Sequence, residues 1–123
     1  LGLLLDPTNY FTGNNIGDVD GELNRIFNAL ADRVKIAHAK DIKRAADTGE
    51  KHASIDASEA HSFRGAGAVE LPAPGLGVLN YDLYLKRLSE KHPNIPLIIE
   101  HLDESDIPRA KKFVDGKLLK LGV

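Results

Sequence analysis

The sequence predicts a parallel α/β fold, and three observations carry that prediction. Three short apolar runs recur, each ending in a residue able to do chemistry: Leu1-Gly-Leu-Leu-Leu-Asp6, Val34-Lys-Ile-Ala-His38 and Leu97-Ile-Ile-Glu100. Short apolar runs with polar ends are how strands buried in a parallel sheet read. Each run feeds, directly or through a loop, a stretch with apolar residues at helical spacing. The resulting order is strand–helix, strand–long loop–helix, strand–helix, the βα repeat of a parallel sheet.

Residues 1–5 make the first strand, and Asp6-Pro-Thr-Asn9 with the Gly- and Asn-rich residues 14–17 makes a loop. A helix follows from about Asp20, with Leu23, Ile26, Phe27 and Leu30 at i, i+3, i+4 and i+7 and Asp18 or Asp20 placed to cap it. Residues 34–37 are the second strand. Residues 41–79 form an unusually long connection. Its first part, 42–63, is polar, with Lys43, Arg44, Asp47, Glu50, Lys51 and His52. Arg64-Gly-Ala-Gly67 and Leu71-Pro-Ala-Pro-Gly-Leu-Gly77 come after it. A loop of this length reads as a functional lid or a disordered segment. The next helix starts near Tyr81, with Tyr81, Tyr84, Leu85 and Leu88 on one packing face and Asn80 as cap. His92-Pro-Asn-Ile-Pro96 ends it. Residues 97–99 are the third strand. The last helix begins within 105–108, where Pro108 suits a first turn, and Ile107, Ala110, Val114, Leu118 and Leu121 make its inner face.

The 123 residues suffice for one modest domain with a core. A net charge of −2 gives no electrostatic reason to expect nucleic acid or an anionic membrane as partner. Without cysteine, disulfides and thiolate metal sites are excluded. No apolar run approaches the roughly 20 residues of a membrane span. No basic n-region of a signal peptide precedes Asp6, so a cytoplasmic location is the expectation. The chain opens with Leu inside a strand, and a fragment of a longer protein is expected. Three βα units do not close a barrel; a (β/α)8 barrel takes eight units in about 250 residues and carries its site at the C-terminal strand ends. The expected architecture is therefore a partial (β/α)8 TIM barrel, its last three βα units. The missing N-terminal barrel strands, or a self-associated copy, would cover the edge at residues 1–5.

Asp6, His38 and Glu100 then fall at the same end of neighbouring strands, where they can bind a divalent metal. Glu100 follows a fully apolar triplet, and an unpaired buried carboxylate is costly, so a cation partner is expected. Oxygen ligands plus one imidazole suit Mn²⁺, Mg²⁺ or Co²⁺, and Zn²⁺ is also accommodated. Plainer readings stand beside these. Asp6 can simply close a turn with Pro7, and His38 can be a hydrogen-bonded core histidine. Lys40 and Asp41 either pair with each other on the surface or support the site from behind. His52, His61, His92 and His101 read as surface residues, His101 pointing away from the Glu100 face if the strand continues. The glycines at 65–67 and 75–77 look like phosphate loops. Neither opens a helix directly after a strand, so lid or turn is the better reading. Tyr81 and Tyr84 read as packing.

Four pieces in order, Leu-Asp-Pro-Thr-Asn (5–9), His-Ala-Lys-Asp (38–41), Pro-Gly-Leu-Gly-Val-Leu-Asn-Tyr (74–81) and Pro-Leu-Ile-Ile-Glu-His-Leu (96–102), span nearly the whole chain. Together they resemble the C-terminal part of the sugar phosphate isomerase/epimerase family, within the xylose-isomerase-like barrel superfamily. The resemblance implies one divalent metal held by Glu, Asp, His and Glu from the last four strands. Asp6, His38 and Glu100 match the last three, and the first Glu belongs on a strand before Leu1. It further implies that Glu100 is one of two glutamates exchanging a proton beside the substrate carbonyl. Asn9 falls where such epimerases often carry a substrate-contacting His, and Arg44 where an Arg contacts substrate oxygens. Asn for His departs from the pattern and leaves the sugar open.

The chemistry is consistent with that implication. A metal polarises a carbonyl, a carboxylate removes the acidified proton, and two carboxylates on opposite faces permit epimerisation. The expected function is thus a metal-dependent sugar or sugar phosphate isomerase/epimerase acting on a small-molecule sugar. The superfamily also offers a metal-dependent hydrolase, as in three-zinc abasic-site endonucleases. Those carry His at the place of Asn9 and Asp-x-His where this chain has Val69-Glu-Leu71. An inositol-type dehydratase is a further alternative, and a non-catalytic partial barrel that self-associates is another.

Overall fold

The computed structural model describes residues 2–45, 69–100 and 102–122. Its elements, in chain order, are β1 (Leu3–Leu5), α1 (Val19–Leu30), β2 (Val34–Ala39), β3 (Lys43–Arg44), β4 (Val69–Glu70), α2 (Tyr81–Lys91), β5 (Leu97–Ile99) and α3 (Ile107–Leu121). Helix ends follow local capping chemistry. Asp18 accepts a hydrogen bond from the Gly21 amide at the start of α1, and Asn80 accepts from Leu83 at the start of α2. Pro108 sits in the first turn of α3, and Gly122, at φ +77°, ends that helix in the left-handed conformation.

β1, β2 and β5 form one parallel sheet in the order β1-β2-β5. The fold is therefore mixed α/β with a three-stranded parallel sheet. The register places Leu4 beside Ile36 and Leu5 beside Ala37. On the other side of β2, Ala37 lies beside Leu97 and Ala39 beside Ile99. A shift between Leu3 and Leu4 leaves Lys35 out of the pairing, since Leu3 pairs with Val34 and Leu4 with Ile36. This bulge exchanges the faces of the strand. Val34 and Ala37, three apart, are both buried.

One sheet face packs on the helices. Leu5, Val34, Ala37 and Ala39 meet Leu23, Ile26 and Phe27 of α1, Tyr84, Leu85 and Leu88 of α2, and Val114 of α3. The opposite face carries Leu4 and Ile98, which are 47% and 46% exposed, with Ile36 between them. The strands were expected to be buried on both sides; among the described residues nothing covers this second face. Ile107 also departs from expectation. It is exposed while Ala110 and Val114 are buried.

The described part of the long connection contains a small sheet. β3 and β4 pair antiparallel, Lys43 beside Glu70 and Arg44 beside Val69, with a Lys43–Glu70 ion pair at 3.1 Å. The readings for His52, His61, Arg64 and the glycines at 65–67 lie outside the described residues, as does that for His101. The glycines at 75–77 belong to a turn: Leu76 N–H donates to the Ala73 carbonyl, and Gly75 has φ +96°. His92 is half-buried, its Nε2 lying 2.6 Å from the Ala31 carbonyl oxygen. It fastens the end of α2 to the end of α1 and is not a plain surface residue.

Candidate metal centre

The register that builds the sheet also builds the site. Asp6 follows Leu5, which pairs with Ala37, so Asp6 comes level with His38. Glu100 follows Ile99, which pairs with Ala39, and its amide donates to the Ala39 carbonyl at 3.2 Å. Asp6, His38 and Glu100 thus collect at the C-terminal ends of three adjacent strands. One ligand atom from each lies within 4.8 Å of the others.

Each side chain is held. Asp6 Oδ1 accepts from the Thr8 amide at 3.1 Å and the Thr8 hydroxyl at 2.7 Å. This is a turn that Asp before Pro-Thr makes with its own backbone. Its second oxygen, Oδ2, accepts from Lys40 Nζ at 2.7 Å. Burial pushes the Asp6 carboxyl up, but the Lys40 ammonium and the Thr8 donors outweigh it and hold the group below the ordinary carboxylate range. The strand end under His38 and Lys40 is fixed from α2. Tyr84 Oη donates to the His38 carbonyl at 2.8 Å, and Tyr81 Oη donates to the Lys40 carbonyl. Burial raises both phenols far above their ordinary range, so they stay protonated donors.

His38 Nδ1 lies 2.5 Å from Glu100 Oε2 and 3.8 Å from Asp6 Oδ2. The close approach is not aligned as a hydrogen bond. Both His38 Nδ1 and Glu100 Oε2 are buried atoms without a hydrogen-bond partner among the described residues. Two buried polar atoms that face each other without a hydrogen bond are costly unless a further group joins them. Cis ligands on one ion with bonds near 2.1 Å stand about 3 Å apart, and the observed 2.5 and 3.8 Å bracket that spacing. The donor set, two carboxylates and one imidazole, fits a divalent metal.

The remaining expected site residues separate. Lys40 does not pair with Asp41, whose oxygens accept from backbone amides instead. Lys40 joins the cluster, within 3.7 Å of Glu100 Oε2 as well as on Asp6. Asp41 is buried on the other side. Its Oδ1 accepts from the amides of Ile42 and Leu79 at 2.8 and 3.0 Å, and Oδ2 from that of Gly75 at 2.8 Å. Burial raises its carboxyl in spite of these donors. A Cβ at Gly77 would run into Asp41 Oδ1 and the Ile42 carbonyl oxygen, so glycine is required there. Asn9 is exposed on the Pro7–Tyr10 turn. Arg44 is exposed and turned to the Gly13 carbonyl at 3.4 Å, not to the cluster.

Sequence reasoning missed Thr8, the direct part of Lys40, and the two tyrosine hydroxyls. The Asp-Pro-Thr turn and two phenols on one buried helix face were the available signals, since a buried phenol must find an acceptor. A scan against protein-family models, a search of curated proteins and a search of solved structures each find no match to this chain.

Proposed function

We propose that the chain is the last three βα units of a (β/α)8 barrel and carries the metal site of a sugar or sugar phosphate isomerase/epimerase. The observation that carries this reading is the convergence of Asp6, His38 and Glu100 on three parallel strand ends, with His38 Nδ1 and Glu100 Oε2 buried and without a hydrogen-bond partner among the described residues. Parallel strands with the chemistry at their C-terminal ends are the barrel's arrangement. Asp6 Oδ2, His38 Nδ1 and Glu100 Oε2 would hold Mn²⁺, Mg²⁺ or Co²⁺, with Zn²⁺ an alternative. Bound there, such an ion polarises a substrate carbonyl and acidifies the neighbouring C–H.

The chain's own residues supply the rest. Glu100 has one oxygen buried in the cluster while its side chain is 46% exposed. It can hold an ion with one oxygen and take the substrate proton on the other. Asn9 and Arg44, both exposed, are the proposed contacts to sugar hydroxyls, Arg44 by leaving the Gly13 carbonyl it now faces. Epimerisation needs a second carboxylate across the substrate. We assign it to a partner, either further barrel strands or a second copy of this chain.

Calorimetric titration of Mn²⁺ into the chain tests the site. Binding is expected, and Glu100→Gln and His38→Ala should each abolish it. Unchanged binding in either variant would overturn the ligand assignment. Solvent deuterium exchange at the carbon beside a ketose carbonyl, followed by NMR in the barrel-completed protein, tests the reaction. Exchange that survives Glu100→Gln at full rate would sink the isomerase reading.

A further inference from the structure

The metal-site reading leaves one charged group unexplained. Lys40 Nζ sits 2.7 Å from Asp6 Oδ2 and 3.7 Å from Glu100 Oε2. Those are the two carboxylate oxygens assigned to the metal, and the Lys40 side chain is only 11% exposed. Two carboxylates and one ammonium leave the cluster at −1. A dication added beside a fixed ammonium brings it to +1, with like charges facing each other across one shared oxygen. A dication that displaces the ammonium brings it to zero. Like charges a few ångströms apart in a partly buried site repel strongly, so the neutral arrangement is favoured. The lysine has a long flexible stem for that movement. Its backbone does not move with it, because the Lys40 carbonyl is held by Tyr81 Oη.

We propose that Lys40 is a built-in competitor for the metal. Its ammonium and the divalent ion occupy the same face of Asp6, the ion binds as Lys40 leaves, and Lys40 thereby sets the metal affinity. This rests on the metal-site reading above. Lys40 is a positioning residue in this role; without the ion it offsets part of the charge of the two carboxylates and holds the strand ends together.

Titration of Mn²⁺ by calorimetry, with thermal unfolding run with and without Mn²⁺, tests the idea on wild type, Lys40→Met, Lys40→Arg and His38→Ala. Lys40→Met should bind Mn²⁺ at least about tenfold more tightly than wild type, because the competing charge is gone. Lys40→Arg, which keeps the charge, should stay near wild type. Without Mn²⁺, Lys40→Met should melt below wild type, and saturating Mn²⁺ should close that gap. A purely structural lysine would lower stability without tightening binding. Lys40→Gln, which keeps a hydrogen bond to Asp6, replaces Lys40→Met if the latter does not fold. If wild type binds Mn²⁺, His38→Ala abolishes it and Lys40→Met binds no more tightly, the metal site stands and the competitor is refuted. If Mn²⁺ binds to neither wild type nor Lys40→Met, both fall.

Discussion

Thr8 serves the site by occupying one oxygen of Asp6, which leaves the other to face the cluster. Thr8→Val keeps the shape and removes the hydroxyl donor, so urea unfolding should record a loss of about 1 kcal/mol. Asp6 and Asp41, both buried, respond to pH in opposite senses. Asp6 is held below the ordinary carboxylate value of about 3.9. Its contribution to stability is present above that value and is lost as pH falls through its folded pKa. Asp41 is raised by burial. Its contribution is fullest below the ordinary value and declines as pH rises through its folded pKa. Asp41→Asn would place an amide nitrogen or a single acceptor against donors from both sides, at a cost of about 1–3 kcal/mol. The stability gap between wild type and Asp41→Asn should therefore be wider at pH 4 than at pH 7, as read by urea unfolding; a gap that widens with pH would contradict the raised carboxyl. That Asp6 and Glu100 end their strands can be read from the chain. That Lys40 reaches both, and that Asp41 turns the other way, cannot, because those contacts depend on how strands far apart in sequence align.

Helix α2 is both a layer of the core and the clamp on the strand that carries His38 and Lys40. Tyr84 packs against Phe27 and Tyr81, with ring centroids 5.9 and 5.8 Å away, while its hydroxyl reaches the His38 carbonyl. Tyr84→Phe preserves the rings and orphans a carbonyl. Stability should drop by about 1–2 kcal/mol, and Mn²⁺ affinity should fall with it, since misplacing a ligand's support typically costs tenfold or more. Calorimetry and urea unfolding on the one variant separate the two effects. The three described helices were legible in the sequence because their signals are local: apolar residues three and four apart, Asp18 or Asp20 and Asn80 at the starts of α1 and α2, and Pro108 in the first turn of α3. The β3–β4 pair was hidden. It joins Lys43 to Glu70 across a long stretch of chain, and two-residue strands have no periodicity to detect.

At the scale of the molecule, the described residues cover the sheet on one face and leave the other bare. Leu4, Ile36 and Ile98 line that face, and among the described residues β1 and β5 are edge strands. An apolar face flanked by open edges favours pairing with more strands. Light scattering at high concentration should give a mass above that of one chain, and Leu4→Ser with Ile98→Ser should return it to one chain; a wild-type monomer throughout would count against self-association. The sequence could show apolar runs but not which of their residues stay uncovered. The bulge at Lys35 makes the molecule's tolerance of length changes lopsided. Removing Lys35 would let β1 and β2 run in step while Asp6 still arrives level with His38, so the shortened chain should fold and keep its Mn²⁺ binding. Adding one residue between Ile36 and His38 would turn the imidazole toward the helices and bring Ala37 or the newcomer to the site. An insertion there should erase Mn²⁺ binding even in a chain that still folds. The spacing of the strand thus behaves as a reading frame for the site, with a single place where a residue can be dropped.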